Sequence, residues 1–197
     1  MDKLSYALGL SMGQNFLRSG IKEINVEDFA RAVGAVYAGE KTEMSYDEAK
    51  EEVNRFFTDL EEQNRKANAE LGKPFLAATA KKDGVVVTAS GLQYKVIKEG
   101  NGVKPTANDQ VTVHYTGCLI AGTVFDSSVE RGMPATFGVT QVIPGWVEAL
   151  QMMREGDEWQ LYIPSELAYG PNGAGGVIGP DATLIFDVQL IKVNAKK

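Results

Sequence analysis

Glycine and proline are unevenly distributed along this 197-residue chain, and that restricts its fold more than any other feature. Residues 1–84 hold 7 Gly and 1 Pro, whereas residues 85–197 hold 14 Gly and 6 Pro. Inside a helix each Gly costs about 1 kcal/mol and each Pro about 3 relative to Ala, while both punctuate turns. A helical first part and a strand-and-turn second part follow.

In the first part, YALGLSMGQNFL and VEDFARAVGAVYAG space apolar residues three and four apart, predicting two short amphipathic helices. The second has Asn25 as an N-cap and Gly39 as its stop. A long helix opens at Ser45 and Glu48, which have capping-box spacing. It carries Glu51 before Arg55, Glu61 before Arg65 and Glu62 before Lys66 on a solvated face. Its apolar residues Val53, Phe56, Phe57 and Leu60 thin to Ala67, Ala69 and Leu71 beyond Gln63. That half is expected to stand away from any core as a stalk, with LGKP at 71–74 kinking or interrupting it before helix resumes through FLAATAKK.

The second part reads as strands at GVVVT, LQYKVIKEG, QVTVHYTGCLI, TVFDSS, EWQLYIP and ATLIFDVQLIKV. One short helix fits at GWVEALQMM, where Trp146, Leu150 and Met153 share a face. The fold class is α+β: an N-terminal all-helical domain with a long stalk helix over residues 1–84, and an antiparallel sheet wrapped on one short helix over 85–197.

The net charge of −6 divides evenly, with 12 basic and 15 acidic side chains before residue 85 and 8 and 11 after it. No basic patch points to nucleic acid or to an anionic membrane. A single cysteine makes no internal disulfide. Met1 leads into DKLSYALGLSMGQNF without a basic stretch and long apolar run, so a cytoplasmic address is expected, with the periplasm as alternative where a leader has been removed.

The stretch VHYTGCLIAGTVFDSS holds the only histidine and the only cysteine. On a strand, Val111, Val113 and Tyr115 share one face, and His114 points to the other. Cys118, three residues after Tyr115, falls on the opposite face as well and has no cation in the nearby sequence to make it a thiolate. A nucleophile with its base is therefore disfavoured. One His and one Cys are too few ligands for a metal, and YGPNGAGGVIGP lacks the Gly-Lys-Ser/Thr of a phosphate cradle. It reads as a flap beside a site. By composition alone, the aromatics are ordinary core.

The ordered set VHYTG, GTVFDSS, VIPGW, YIPSELAYG and ATLIFDVQL resembles the FKBP-type peptidyl-prolyl cis–trans isomerases, over about Gly91 to Val193. SYALGLSMGQNF and the linker AKKDGVVVTASGLQY are similar to the N-terminal dimerisation domain of two-domain bacterial members, the macrophage infectivity potentiator group and its cytoplasmic relatives. The resemblance implies a pocket walled by Tyr115, Phe125, Val142, Ile143, Trp146, Tyr169 and Phe186, with Trp146 as floor under a proline ring. Phe137 and Ile178 match further apolar contacts and are expected with Arg131 to bind substrate, and Asp126 matches an edge carboxylate bonded to Tyr115 or Arg131 without proton transfer. The Ile143 N–H and Tyr169 hydroxyl match groups that hold substrate carbonyls. Ala135 stands where many members have an aromatic and Ala174 where some have a histidine, which loosens the rim.

The implied function is isomerisation of Xaa-Pro bonds during protein folding, with no cofactor and no metal; a dimeric chaperone with incidental turnover is the alternative. The implied partners are proline-containing unfolded polypeptides and the macrolides tacrolimus and rapamycin. Residues 1 to about 80 have too little internal core for a monomer, so a homodimer is expected through Leu4, Leu8, Phe16, Phe29, Val33, Phe56 and Phe57.

Overall fold

The structure, a computed structural model, describes residues 1–194. The chain forms two compact units, residues 1–63 and residues 64 onward.

The first unit contains helix α1 (Lys3–Arg18), helix α2 (Val26–Ala38) and the start of helix α3 (Tyr46–Thr79). The Asn25 side chain caps α2 by accepting from the Glu27 and Asp28 amides, and Gly39 ends it in the left-handed region at φ 66°. Ser45 and Glu48 close the expected capping box, the Glu48 carboxylate accepting from the Ser45 N–H at 2.7 Å and the Ser45 hydroxyl from the Glu48 N–H at 3.2 Å. On the surface of α3, Arg55 bonds Glu52, three residues away, instead of Glu51. Phe16 and Phe29 meet edge to face at 5.6 Å. Even so, none of residues 1–63 is buried, and Leu4, Leu8 and Val36 are 70, 52 and 69% exposed.

The second unit is a seven-stranded antiparallel sheet. Its strands are β1 (Val85–Val87), β2 (Gln93–Lys98), β3 (Gln110–Leu119), β4 (Val124–Ser127), β5 (Ala135–Gly138), β6 (Glu158–Ile163) and β7 (Leu184–Asn194). The order is β1-β2-β6-β7-β3-β4, with β5 also paired to β3. The sequence pattern missed β5, a four-residue strand straight after Pro134 that breaks no long alternation. Helix α4 (Pro144–Met152) starts with Pro at its first turn and buries Trp146 and Leu150, with Met153 just beyond. These join Val111, Val113, Leu161, Leu184, Val188 and Leu190 in one core.

The second half of α3 corrects the stalk expectation. The helix runs through Pro74 to Thr79 without a break, and residues 64–79 pack on the sheet unit. Arg65, spaced to meet Glu61, instead donates to Asp181 at 2.9 Å, and Asn68 donates to the Pro180 carbonyl at 2.8 Å. Phe75 lies 6.0 Å from the Tyr162 ring, Gln93 donates to the Leu76 carbonyl at 3.0 Å, and Thr79 is fully buried. A Cβ on Gly72 would stand 2.6 Å from the Thr183 hydroxyl, so the glycine is what lets the helix approach. The docking stripe is Arg65, Asn68, Gly72, Phe75 or Leu76, and Thr79. It has helical spacing but little apolar content, so hydrophobic periodicity does not reveal it.

Candidate active site

The burial of β3 alternates strictly, with Val111, Val113, Tyr115 and Gly117 buried and the residues between them half-buried. Tyr115 thus points into the core while His114 and Cys118 face the other side, as the sequence predicted. The Nδ1 of His114 lies 3.0 Å from the Ser128 hydroxyl. Burial, with Asp187 adding to it, pushes the Cys118 thiol up from its ordinary pKa, which keeps it protonated and poorly nucleophilic.

Two backbone features aim the aromatics. Gly117 pairs with Asp126 but Cys118 pairs with Val124, so the register skips Phe125. This bulge lets Phe125 and its neighbour Asp126 both line one cavity, where unbroken alternation would send them to opposite faces. Opposite them, Gly117 pairs with Phe186. A Cβ there would sit 2.6 Å from the Phe186 ring and 2.7 Å from that of Phe125, so only glycine admits both rings.

The result is a cavity of about 600 Å³. Trp146, 4% exposed, lies at the centre of its aromatic lining, edge to face with Tyr115 at 5.2 Å and with Phe186 at 5.3 Å. Phe125 meets Phe186 at 5.5 Å, and Phe137 meets Trp146 at 6.1 Å. Each such pair adds about 0.5–1.5 kcal/mol beyond its buried area, which makes the bowl stiff. Val142, Ile143, Tyr169 and Ile178 complete the set expected from sequence, and all of it lines the one cavity apart from Arg131. Sequence reasoning missed Gln141, Gly175 and Val177, and noted Ala174 only as a gap in the rim. Gln141 adjoins Val142, and the other two adjoin Ala174 in the flap. Flap residues carry no periodic signal because the fold of the glycine-rich loop, where Ala174 and Ile178 exchange backbone hydrogen bonds of 2.8 and 3.0 Å, is what aims them.

Arg131 stands behind the cavity. Its guanidinium donates to the Asp126 carboxylate and, at 3.1 Å, to the Tyr115 hydroxyl, which itself donates to Asp126. Burial opposes ionisation of Asp126, but the Tyr115 and Arg131 hydrogen bonds and the Arg131 charge outweigh it and hold the carboxyl below its usual value. Burial, together with the bond to Asp126, pushes the Tyr115 hydroxyl above its usual value. Asp126 is thus a committed anion and a poor proton donor. Among the described residues no His, Cys, Asp and Glu cluster could hold a metal ion, and no helix is long and apolar enough to cross a membrane.

Comparison with known proteins agrees with this geometry. Residues 101–191 match the FKBP-type peptidyl-prolyl cis-trans isomerase family, and residues 1–96 match the domain amino terminal to it. The chain is 48% identical to the outer membrane protein MIP of Legionella longbeachae, over 98% of this chain and 85% of that protein. It is 47% identical to the probable FKBP-type peptidyl-prolyl cis-trans isomerase FkpA of Neisseria meningitidis, over 99% of this chain and 75% of the other. The crystal structure of FkpA from Escherichia coli superposes with a TM-score of 0.71 at 34% identity, covering 98% of this chain and 95% of that one. An apolar aromatic bowl suits a reaction that makes and breaks no covalent bond, and these matches show that the chain belongs to the FKBP-type peptidyl-prolyl cis-trans isomerases.

Proposed function

We propose that Trp146 is the floor beneath the proline ring of a bound Xaa-Pro segment and that Tyr115, Phe125, Phe137, Val142, Ile178 and Phe186 wall it. The supporting observation is a 600 Å³ apolar cavity whose one charged lining residue, Asp126, is already engaged by Tyr115 and Arg131. Rotation about the prolyl bond is opposed by amide resonance, about 18–20 kcal/mol for a peptide bond, and the twisted amide is less charge-separated than the planar one. A dry bowl therefore favours the transition state over the ground state. The Ile143 N–H, at the N-cap of α4, and the Tyr169 hydroxyl hold the flanking carbonyls. Asp126 and Arg131 are positioning residues that fix the Tyr115 ring. The residue before proline is apolar, and tacrolimus and rapamycin compete for the same bowl, bound weakly because Ala135 and Ala174 leave the rim open.

We propose further that residues 1–63 form a homodimer and residues 64–194 the catalytic unit. This narrows the dimerising segment expected to reach residue 80, because 64–79 pack on the sheet unit of their own chain. Two bowls in one particle raise the local concentration of a second site for an unfolded client. The cytoplasmic address expected from the sequence finds no support in the relatives, one of which is named an outer membrane protein, and cell fractionation decides it.

The test is a proline-limited refolding assay at substoichiometric protein. Phe125→Ala is expected to lower kcat/KM at least tenfold, about 1.4 kcal/mol of transition-state stabilisation, with unchanged circular dichroism. Retained turnover in that variant, or a saturating tacrolimus titration with neither inhibition nor a change in Trp146 fluorescence, would sink the assignment.

A further inference from the structure

We infer that the bowl continues into a second subsite, which takes an aliphatic side chain of the same polypeptide a few residues from the proline. The recognised element is then an extended unfolded segment and not an isolated Xaa-Pro pair. This rests on the bowl being the proline site.

A second cavity, of about 270 Å³, lies within the sheet unit beside the flap. Asn64, Asn68 and Leu71 of α3 form one side, and Leu119 at the end of β3 and Thr183 just before β7 are among the residues facing them. The feature that ties it to the bowl is Val177, which lines both cavities. The flap is a tight hairpin closed by Ala174 and Ile178, and its tip glycines Gly175 and Gly176 sit at φ 59° and 72°. Gly175 faces the bowl and Gly176 the second cavity, so the tip is a narrow ridge between them, with Val177 51% exposed upon it. An extended chain advances about 3.3 Å per residue with side chains alternating in direction, so a segment seated in the bowl can cross such a ridge and drop a neighbouring side chain beyond it.

The lining chooses the occupant. No charged residue contributes to the second cavity, and Leu71 on its α3 side is left 60% exposed. Withdrawing Leu71 and a client Leu or Ile from water together is favourable. The Asn64 amide, at the margin, offers both a donor and an acceptor to the client's main chain.

The experiment measures KM and kcat by exchange NMR on a tetrapeptide and on a dodecapeptide with the same central Xaa-Pro bond flanked by leucines. The variants are Leu71→Glu and Ala121→Arg, at exposed positions that line only the second cavity. Each is expected to raise the dodecapeptide KM about tenfold, the scale of withdrawing part of an aliphatic side chain from an apolar groove, with kcat unchanged and the tetrapeptide constants within about twofold. An unchanged dodecapeptide KM, or an equal effect on both peptides, overturns the subsite while the bowl reading stands. Full tetrapeptide turnover by Phe125→Ala overturns the bowl reading, and the subsite with it.

Discussion

Residues 64–194 enclose a core in which Val111, Val113, Leu184 and Leu190 are fully buried, whereas residues 1–63 leave every side chain at least partly in water. Both regions have regular elements, and those of the first are the better capped, with Asp2 and Asn25 closing the starts of α1 and α2. The difference lies in where the apolar faces go: the sheet closes on α4, while α1 and α2 present Leu4, Leu8, Val33 and Val36 to solvent. Capping and propensity start a helix, but burial of its apolar stripe is what stabilises it. The helices of 16 and 13 residues, with no buried side chain, leave that stripe uncovered within this chain.

The sharpest way to break this contrast is to ask whether the first unit needs a second copy. The full-length protein is expected to scatter light as a dimer at micromolar concentration. Introducing Leu8→Glu together with Val36→Glu should halve that mass and abolish the helical melting transition of residues 1–63, since each glutamate puts a charge on an apolar face. Residues 64–197 alone should be a folded monomer with tetrapeptide activity within about twofold of the parent, but should lose much of the activity on a refolding protein. A monomeric full-length chain would remove the dimer and the role given to it.

A smaller effect sharpens the boundary between the units. Deleting residues 1–84 also removes the half of α3 that packs through Gly72, Phe75 and Thr79. The fragment 85–197 should be less stable to urea than 64–197 by about 2–4 kcal/mol, the range for losing one or two buried side chains and their hydrogen bonds. Equal midpoints would return residues 64–79 to the stalk that the sequence suggests.

That boundary also marks where the sequence stops being legible. The bowl was readable only through the family resemblance, whose ordered motifs imply one pocket for Tyr115, Trp146 and Phe186, and these three do line one cavity. The helix caps at Asn25 and Ser45 were readable because capping is local chemistry. The docking of α3 was not, because Asn68 and Gly72 act through a carbonyl of Pro180 and the side chain of Thr183, more than a hundred residues away. Nor was the bulge at Phe125, since alternation is a property of one strand and the skipped register is a property of two.

Gly72→Ala probes that unreadable contact with a single methyl group. The added Cβ would stand 2.6 Å from the Thr183 hydroxyl, so either Thr183 turns or the helix lifts, an overpacking cost of about 1–3 kcal/mol. Alanine is the better helix former by about 1 kcal/mol, so a helix free of the sheet would instead gain stability. The sign of the change in urea midpoint separates the two cases.

The smallest expected effect is a flat line, and it tests whether the catalytic unit's chemistry is complete within its bowl. Asp126 is held below the ordinary carboxylate value of 3.8, because Tyr115 and Arg131 outweigh the effect of its burial. With the folded pKa depressed, the stabilisation is fully present above that ordinary value and is lost only as pH falls through the lower folded one. Tyr115 is raised above its ordinary 10.0 by burial and by Asp126, so its neutral hydroxyl stabilises the fold below that value and the contribution is lost as pH rises through the higher folded one. Between the ordinary values of 3.8 and 10.0 neither Asp126 nor Tyr115 changes charge. The plot of kcat/KM against pH should accordingly be level, and identical for the full chain and for residues 64–197. A mechanism through the Cys118 thiolate would add an alkaline limb above the ordinary thiol value, since burial and Asp187 raise that group. The side chains of His114 and Cys118 both face away from the bowl. His114→Asn and Cys118→Ser should each leave kcat/KM within about twofold, since an imidazole or a thiolate acting in the reaction would be worth about 100-fold or more. Abolished turnover in a folded Cys118→Ser variant would instead mean that the bowl does not act alone.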